Sequence, residues 1–488
     1  MPEALKILYM TSELAPLVST GGLGDVANAL PRALHALGHD VRVAIPCYDA
    51  IPPEYRGDEY CMCVIDLGGQ PVHGAMRVGC VPETEIPLYL IEHHEFFSRG
   101  APYGFGAYEF EDNAARFCFF SLAVLDGVPQ TGWKPDLVHV HDWHTSAVPA
   151  YLKTRPLRDP TWRDLPSLLT IHNLNYQGRY PASRLPQTGL PPELFTEDCL
   201  EFYGDLNLMK AGIAFASKVN TVSPTYAEEI QTQEFGAGLE GFLRTRTRDV
   251  TGILNGVDYS LWHPERDPFT PVPFSVSNMA GKQTCKAALQ AKVGLPVRDV
   301  PVFGMVTRIS WQKGTDLVVE CLDHLLGHDI QLVVLGVGDP FYEQTFRDAV
   351  ARHPGKLTAI IRFDVALSHL ITAGSDFFLM PSRYEPCGLS QMYSLAYGTV
   401  PICHRTGGLA DSIRSLSTDD TEHGRGTGIL FAPFGVAAFL DAVGQAIALY
   451  QDRKALTAVR RAGMSEDFSW TRAAEAYESL FRAAMASP

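Results

Sequence analysis

Ten cysteines are scattered over 488 residues, with Cys61 and Cys63 the only close pair and no repeated CxxC. That gives a zinc ribbon or a disulfide framework little to be built from, and a reducing compartment is expected. Long apolar runs are missing too: nothing approaches the roughly 18 residues of a membrane helix. The N-terminus places Glu3 and Glu13 around a short KILYM, where a secretory leader would have a basic region followed by a long apolar one. A soluble, cytoplasmic protein is the expectation. Positive charge is in deficit, with 40 Lys and Arg against 55 Asp and Glu and a net charge of -15, so neither a nucleic acid nor a membrane is an expected partner. The dinucleotide fingerprint is absent as well. STGGLGDV at 19–26 lacks GxGxxG spacing and GVGDP at 336–340 has no third glycine, which disfavours a nicotinamide cofactor.

What is present reads as an ordered globular chain, 46% apolar and 19% charged, long enough for two to four domains. Short unbroken runs of Val, Ile and Leu occur at 6–10, 41–45, 137–141, 167–172 and 218–223. Runs of this kind are strands buried on both faces. Helix-compatible stretches such as DVANALPRALHALG at 25–38 lie between several of them, the alternation of parallel βαβ construction. The rhythm restarts at 302–308, 331–336, 357–362, 376–382 and 400–404, so the fold class is α/β with two doubly wound domains. Four prolines in WHPERDPFTPVPF at 262–274 suit an extended connector, with a junction near Asn255 to Asp258. TGGLGD at 20–25 and TGGLAD at 406–411 each open a helix-compatible stretch and suggest two facing helix N-termini, which favour phosphate.

Arg308 and Lys313 in RISWQKG end the first strand of the second set, where open α/β sheets place ligands, and two cations there suit a pyrophosphate. HVHDWH supplies His139, His141, Asp142 and His144, a polar site or, as the competing reading, a metal site. His172 closes SLLTIH. Glu385 precedes the Gly388 turn in SRYEPCGLSQMY, where a carboxylate offsets positive charge developing on a sugar ring. Cys387 beside it is an alternative nucleophile for which the sequence shows no paired base.

Taken in order, TGGLGDV, HDWH, TIHNLNYQG, LNGVD, RISWQKG, EPCGLSQMYSLAYG and RTGGLAD resemble the bacterial glycogen synthases and plant starch synthases, across nearly the whole chain. The resemblance implies GT-B architecture, two Rossmann-like doubly wound domains facing across a cleft. It divides the chain into an acceptor-side domain of 1–254 plus a crossover helix in 465–488, and a nucleotide-sugar domain of 255–464. It also implies retaining transfer of glucose from ADP-glucose, with UDP-glucose as the alternative donor, to the non-reducing 4-hydroxyl of glycogen or a maltooligosaccharide, with no cofactor and no metal. By motif position, Arg308, Lys313 and amides at Gly22, Gly388 and Leu389 would hold the diphosphate. His172, Asn255 and Tyr103 would face the glucose, Phe363 the adenine and Asp142 the acceptor side, while Glu385 would support the transition state.

The chain departs from the family at Ser19, where KTGGL is usual and a donor-side cation is missing, at Arg362, where Gly is usual, and at Ser390, where Thr is common. Two other readings compete: a glucan-binding or regulatory protein with a weakened transferase site, and a GT-B transferase with another donor or a small acceptor. Retention of Arg308, Lys313, His172 and Glu385 argues against the first.

Overall fold

A computed structural model describes residues 3–106, 108–154, 162–163, 165–416 and 425–486. The chain divides into two units, Met1–Val222 with Ala227–Gly256 and Trp470–Pro488, and Ser223–Tyr226 with Val257–Ser469.

In the first unit the strands are β1 (Lys6–Met10), β2 (Asp40–Pro46), β3 (Glu59–Leu67), β4 (Gln70–Cys80), β5 (Pro87–Glu92), β6 (Leu137–His141), β7 (Ser167–Ile171), β8 (Lys218–Thr221) and β9 (Val250–Gly252). They form one sheet in the order β9-β8-β7-β6-β1-β2-β5-β4-β3. Strands β9 through β5 are parallel, and β6 and β7 are buried along their whole length, as strands covered on both faces must be. β3 and β4 extend the sheet as an antiparallel hairpin, which the search for unbroken apolar runs does not find. The helix Trp470–Met485 packs on the helix Gly22–Ala36 of the same unit. Its Tyr477 hydroxyl accepts from Asn220 Nδ2 at 3.0 Å and Arg482 donates to the Glu3 carbonyl at 2.8 Å.

The second unit carries β10 (Val302–Val306), β11 (Gln331–Leu335), β12 (Leu357–Ile360), β13 (Phe377–Met380), β14 (Val400–His404) and β15 (Ile429–Phe431). All are parallel in the order β12-β11-β10-β13-β14-β15, the doubly wound pattern that reverses direction beside its first strand. One face of the sheet packs Phe303, Leu332, Leu379 and Ile402 on Leu322, Phe439 and Val443, and the other packs Val302, Val333 and Phe378 on Leu289, Leu367 and Ile371. The start of β10 is pinned by Asp376, whose carboxylate accepts from Val302 N at 2.9 Å and pairs with Lys286 and Arg460 at 2.7 and 2.6 Å.

The proline-rich segment is not the connector its composition suggests. Residues 262–274 form neither helix nor strand, yet they are packed into the second unit. Trp262 stacks between the planes of His369 and Tyr393 at 3.7 and 4.1 Å, and buried Asp267 accepts from Tyr397 and His369 at 2.5 and 2.8 Å. Proline supplies a chain with few ladder donors, and Trp262 ahead of the first proline and Asp267 between the prolines anchor it. Among the described residues no helix is long and apolar enough to cross a membrane.

Candidate active site

In each sheet the strand order turns at one place, and ligands of open α/β sheets bind beyond the carboxyl ends of the strands there. In the first unit that place is between β1 and β6. Asp142 follows β6 directly with φ 51°, a left-handed conformation that Asp tolerates better than most residues. Its carboxylate accepts the backbone N–H of His172, just past β7, at 2.7 Å, so two of the expected site residues are tied together. His172 Nε2 lies 3.0 Å from His141 Nδ1. Burial pulls the imidazoles of His172 and His144 down to about 3 and holds those of His139 and His141 well below the ordinary range. The side chains of HVHDWH are engaged with one another and their neighbours: His139 bonds Thr170 at 2.8 Å, and His144 stacks on Trp143 and Tyr103 at 4.1 and 4.6 Å. Among the described residues no group of three His, Cys, Asp or Glu side chains gathers as a metal site.

Burial raises the Asp142 carboxyl from 3.8 to about 7, against the lowering effect of N–H donation from His172 and Asn173. A raised folded value means that its contribution to stability is complete below 3.8 and is lost as pH climbs through about 7. An Asp142→Asn chain, which cannot titrate there, is expected to lose a slope of up to about 1.4 kcal/mol per pH unit across that window in denaturant melts. An unchanged slope would show that Asp142 ionises normally.

Glu13, three residues beyond β1, is the residue that motif reading passes over. Only 3% exposed, it accepts from Thr20 N and Thr20 Oγ1 at 2.7 and 2.6 Å and from the Tyr103 hydroxyl at 2.7 Å. One carboxylate thus ties the aromatic expected at the sugar to the loop that opens the helix Gly22–Ala36. A carboxylate in the connection that follows a parallel strand is the signal that would have found it. That helix has Gly21 as its N-cap with no side-chain cap, and a Cβ at Gly21 or Gly22 would meet nothing within 4 Å. Open space and uncapped N–H groups leave room for an anion. Ser19 is exposed and donates to the Gly21 carbonyl. Asn255, beyond β9, is 6% exposed with Oδ1 lacking a hydrogen-bond partner; it makes no side-chain bond to His172 or Asp142.

In the second unit the turning place is between β10 and β13, and it joins two expected residues directly. Lys313 Nζ lies 2.8 and 2.6 Å from the two oxygens of Glu385, which is 6% exposed. Ser382 Oγ donates to the same carboxylate at 2.8 Å. Arg308 is exposed, and its guanidinium has no hydrogen-bond or ion-pair partner among the described residues. Gly388 has φ 70°, and Leu389 is the N-cap of the helix Ser390–Ala396. Phe363 is 85% exposed, and the preceding Arg362 turns to Asp364 Oδ2 at 2.8 Å.

The second glycine pair has a different task from the first. A Cβ at Gly407 would sit 2.1 Å from the Glu385 carbonyl oxygen, and one at Gly408 2.1 Å from that of Cys387. These glycines let the helix Gly407–Ser412 pass against the backbone that carries Glu385, and Gly408 N donates to Glu385 O at 3.1 Å.

The two Rossmann-like units, each with polar residues at the turning place of its sheet, match known glycosyltransferases of the GT-B fold. Residues 6–245 match the family described as starch synthase catalytic domain, and residues 289–461 the family described as glycosyl transferases group 1. The chain is 47% identical to a glycogen synthase of Anaeromyxobacter dehalogenans over 98% of this chain and 99% of that one. It is 43% identical to a glycogen synthase of Desulforudis audaxviator over 99% of this chain and 97% of that one. Among solved structures, the catalytic domain of starch synthase IV from Arabidopsis thaliana, bound to ADP and acarbose, superposes with a TM-score of 0.86 at 33% identity, covering 99% of this chain and all of that one. The chain therefore belongs to the glycogen synthase and starch synthase family.

Proposed function

We propose that this enzyme transfers glucose from ADP-glucose to the non-reducing 4-hydroxyl of an α-1,4-glucan, with retention at the anomeric carbon. The observation that carries the proposal is the Lys313–Glu385 pair at the turning place of the second sheet. It puts a cation suited to a diphosphate beside a carboxylate suited to a developing oxocarbenium ion. In this reading the second unit holds the donor, with Arg308, Lys313 and the amides of Gly388 and Leu389 on the diphosphate and Phe363 on the adenine. The first unit serves acceptor and sugar, through Asp142, His172, Asn255 and Tyr103, and lends the Gly22 amide to the phosphates.

The reaction is a same-face displacement. The glucan 4-oxygen attacks C1 as the bond from C1 to the phosphate oxygen breaks; its electron pair leaves with ADP, and that oxygen takes the hydroxyl proton. No enzyme nucleophile is needed, so Cys387 has no covalent task. The site of action in this reading is the cytoplasm, where nucleotide sugars and storage glucan meet. Incubation with ADP-glucose should release ADP only when glycogen or a maltooligosaccharide is added, and lengthen that glucan. ADP release that ignores the polymer, or none with it, would overturn the proposal.

Ser19 tests the donor grip. At roughly 4 Å an ion pair in an effective dielectric of about 20 is worth about 4 kcal/mol, but position 19 is exposed and solvent screening cuts that to about 1 kcal/mol. Ser19→Lys is therefore expected to lower the donor KM by up to about fivefold. ADP-glucose and UDP-glucose share the diphosphate, so both should improve alike. No change for either would show that position 19 costs nothing in donor binding.

A further inference from the structure

Lys313 sits on a short turn, Trp311–Lys313, and one side chain from the connection after β13 grips that turn on both sides of the lysine. The backbone N–H of Arg383 donates to Gln312 O at 2.9 Å. Its guanidinium carbon lies over the Trp311 ring at 4.4 Å and over the Phe434 ring at 4.1 Å, and its Nη2 pairs with Asp316. Trp311 precedes Lys313, and Asp316 lies in the first turn of the helix Thr315–Gly327 that follows it. Between them Gly314 has φ 68°, and a Cβ there would meet the Pro381 carbonyl oxygen at 1.9 Å, so the two connections are packed backbone on backbone. Arg383 is two residues from Glu385, and its anchors therefore fix both members of the pair in one frame.

The chemistry of the grip requires arginine. A planar guanidinium stacks on aromatic faces while its edge keeps an ion pair, whereas an ammonium is a compact, strongly hydrated point charge that does neither as well. Lys313 carries a long stem with much rotamer freedom, so the reach of its Nζ depends on a fixed backbone beneath it.

We propose that Arg383 is a positioning residue for donor binding: it holds the turn at 311–313 so that Lys313 meets the donor diphosphate. This rests on the assignment of Lys313 to that diphosphate. Arg383→Lys, which keeps the charge, is expected to weaken ADP binding and raise the donor KM by about fivefold or more, with the acceptor KM within about twofold of wild type. Titration calorimetry with ADP and steady-state kinetics read both. In a Lys313→Ala background the same substitution should change ADP affinity by less than about twofold, because a residue acting through Lys313 has nothing left to position. Wild-type ADP affinity in Arg383→Lys, or equal losses in both backgrounds, would overturn the inference. Arg383→Ala is the harsher variant; if it fails to fold, the Arg383→Lys cycle decides alone. Wild-type ADP affinity in Lys313→Ala would bring down the donor assignment itself, a different result from an impaired Lys313→Ala with an intact Arg383→Lys.

Discussion

A Lys313→Ala enzyme is expected to turn over about 10²–10³-fold more slowly and to bind ADP about tenfold more weakly. The diphosphate gains negative charge as the sugar leaves, so a fixed cation contributes more at the transition state than at binding, and the larger loss falls in kcat. The unliganded geometry adds a second consequence. Lys313 is bonded to both oxygens of Glu385, whose side chain is 7% exposed against 22% for the lysine. Removing the lysine leaves that carboxylate buried with Ser382 as its remaining side-chain donor among the described residues. The chain should lose up to about 3 kcal/mol of stability, less than a fully buried pair would cost because Lys313 reaches solvent. Stability and catalysis can then be separated: Lys313→Ala with Glu385→Gln should regain most of the stability in a thermal melt and none of the turnover. Wild-type kcat in Lys313→Ala would remove this residue from the donor grip.

The parallel core of both units is legible in the sequence because a strand covered on both faces has no polar side to interrupt its apolar run. KILYM, LVHVH and QLVVL each correspond to a strand. Most overshoots are at carboxyl ends: the stretch 302–308 is strand as far as Val306, and Thr307 and Arg308 already belong to the following loop, while 376–382 also begins one residue before its strand, which runs Phe377–Met380. β3 and β4 escape the same reading because they expose one face. Tyr60, Met62 and Val64 alternate outward while Cys63, Ile65 and Leu67 are buried, and the apolar stretch YCMCVI at 60–65 is built mainly from Tyr, Cys and Met rather than the Val, Ile and Leu of the buried parallel strands. Their turn is written as Gly68-Gly69, both at positive φ, a hairpin signal of period two that a search tuned to buried strands passes over.

The site is legible where chemistry and strand ends coincide. Asp142 with His172 and Lys313 with Glu385 follow strands as polar residues in apolar surroundings, and the fold joins each pair. Glu13 and Arg383 are not legible in the same way, because their task is to hold other residues and depends on distant partners, Tyr103 in one case and Phe434 in the other. The two TGGL motifs show the limit of pattern alone. Their letters are the same, but the first faces open space and the second lies against the Glu385 and Cys387 carbonyls.

Glu385→Gln should separate charge from shape. Gln keeps the size and an oxygen that can accept from Ser382 or Lys313, so the loop should fold as before, but the negative charge is gone. If that charge stabilises an oxocarbenium-like state, kcat should fall by about 10²-fold or more with the acceptor KM little changed. ADP binding should move in the other direction from Lys313→Ala. In the unliganded enzyme the lysine is held at 2.6 and 2.8 Å by the carboxylate, and a donor diphosphate has to share or displace that partner. Neutralising Glu385 releases Lys313 for the diphosphate, so ADP should bind as well as in wild type or tighter. Kinetics and calorimetry on one preparation give both numbers. A variant that lost ADP affinity together with kcat would show Glu385 to be a scaffold for Lys313, and one with wild-type kcat would show that the reaction does not use its charge.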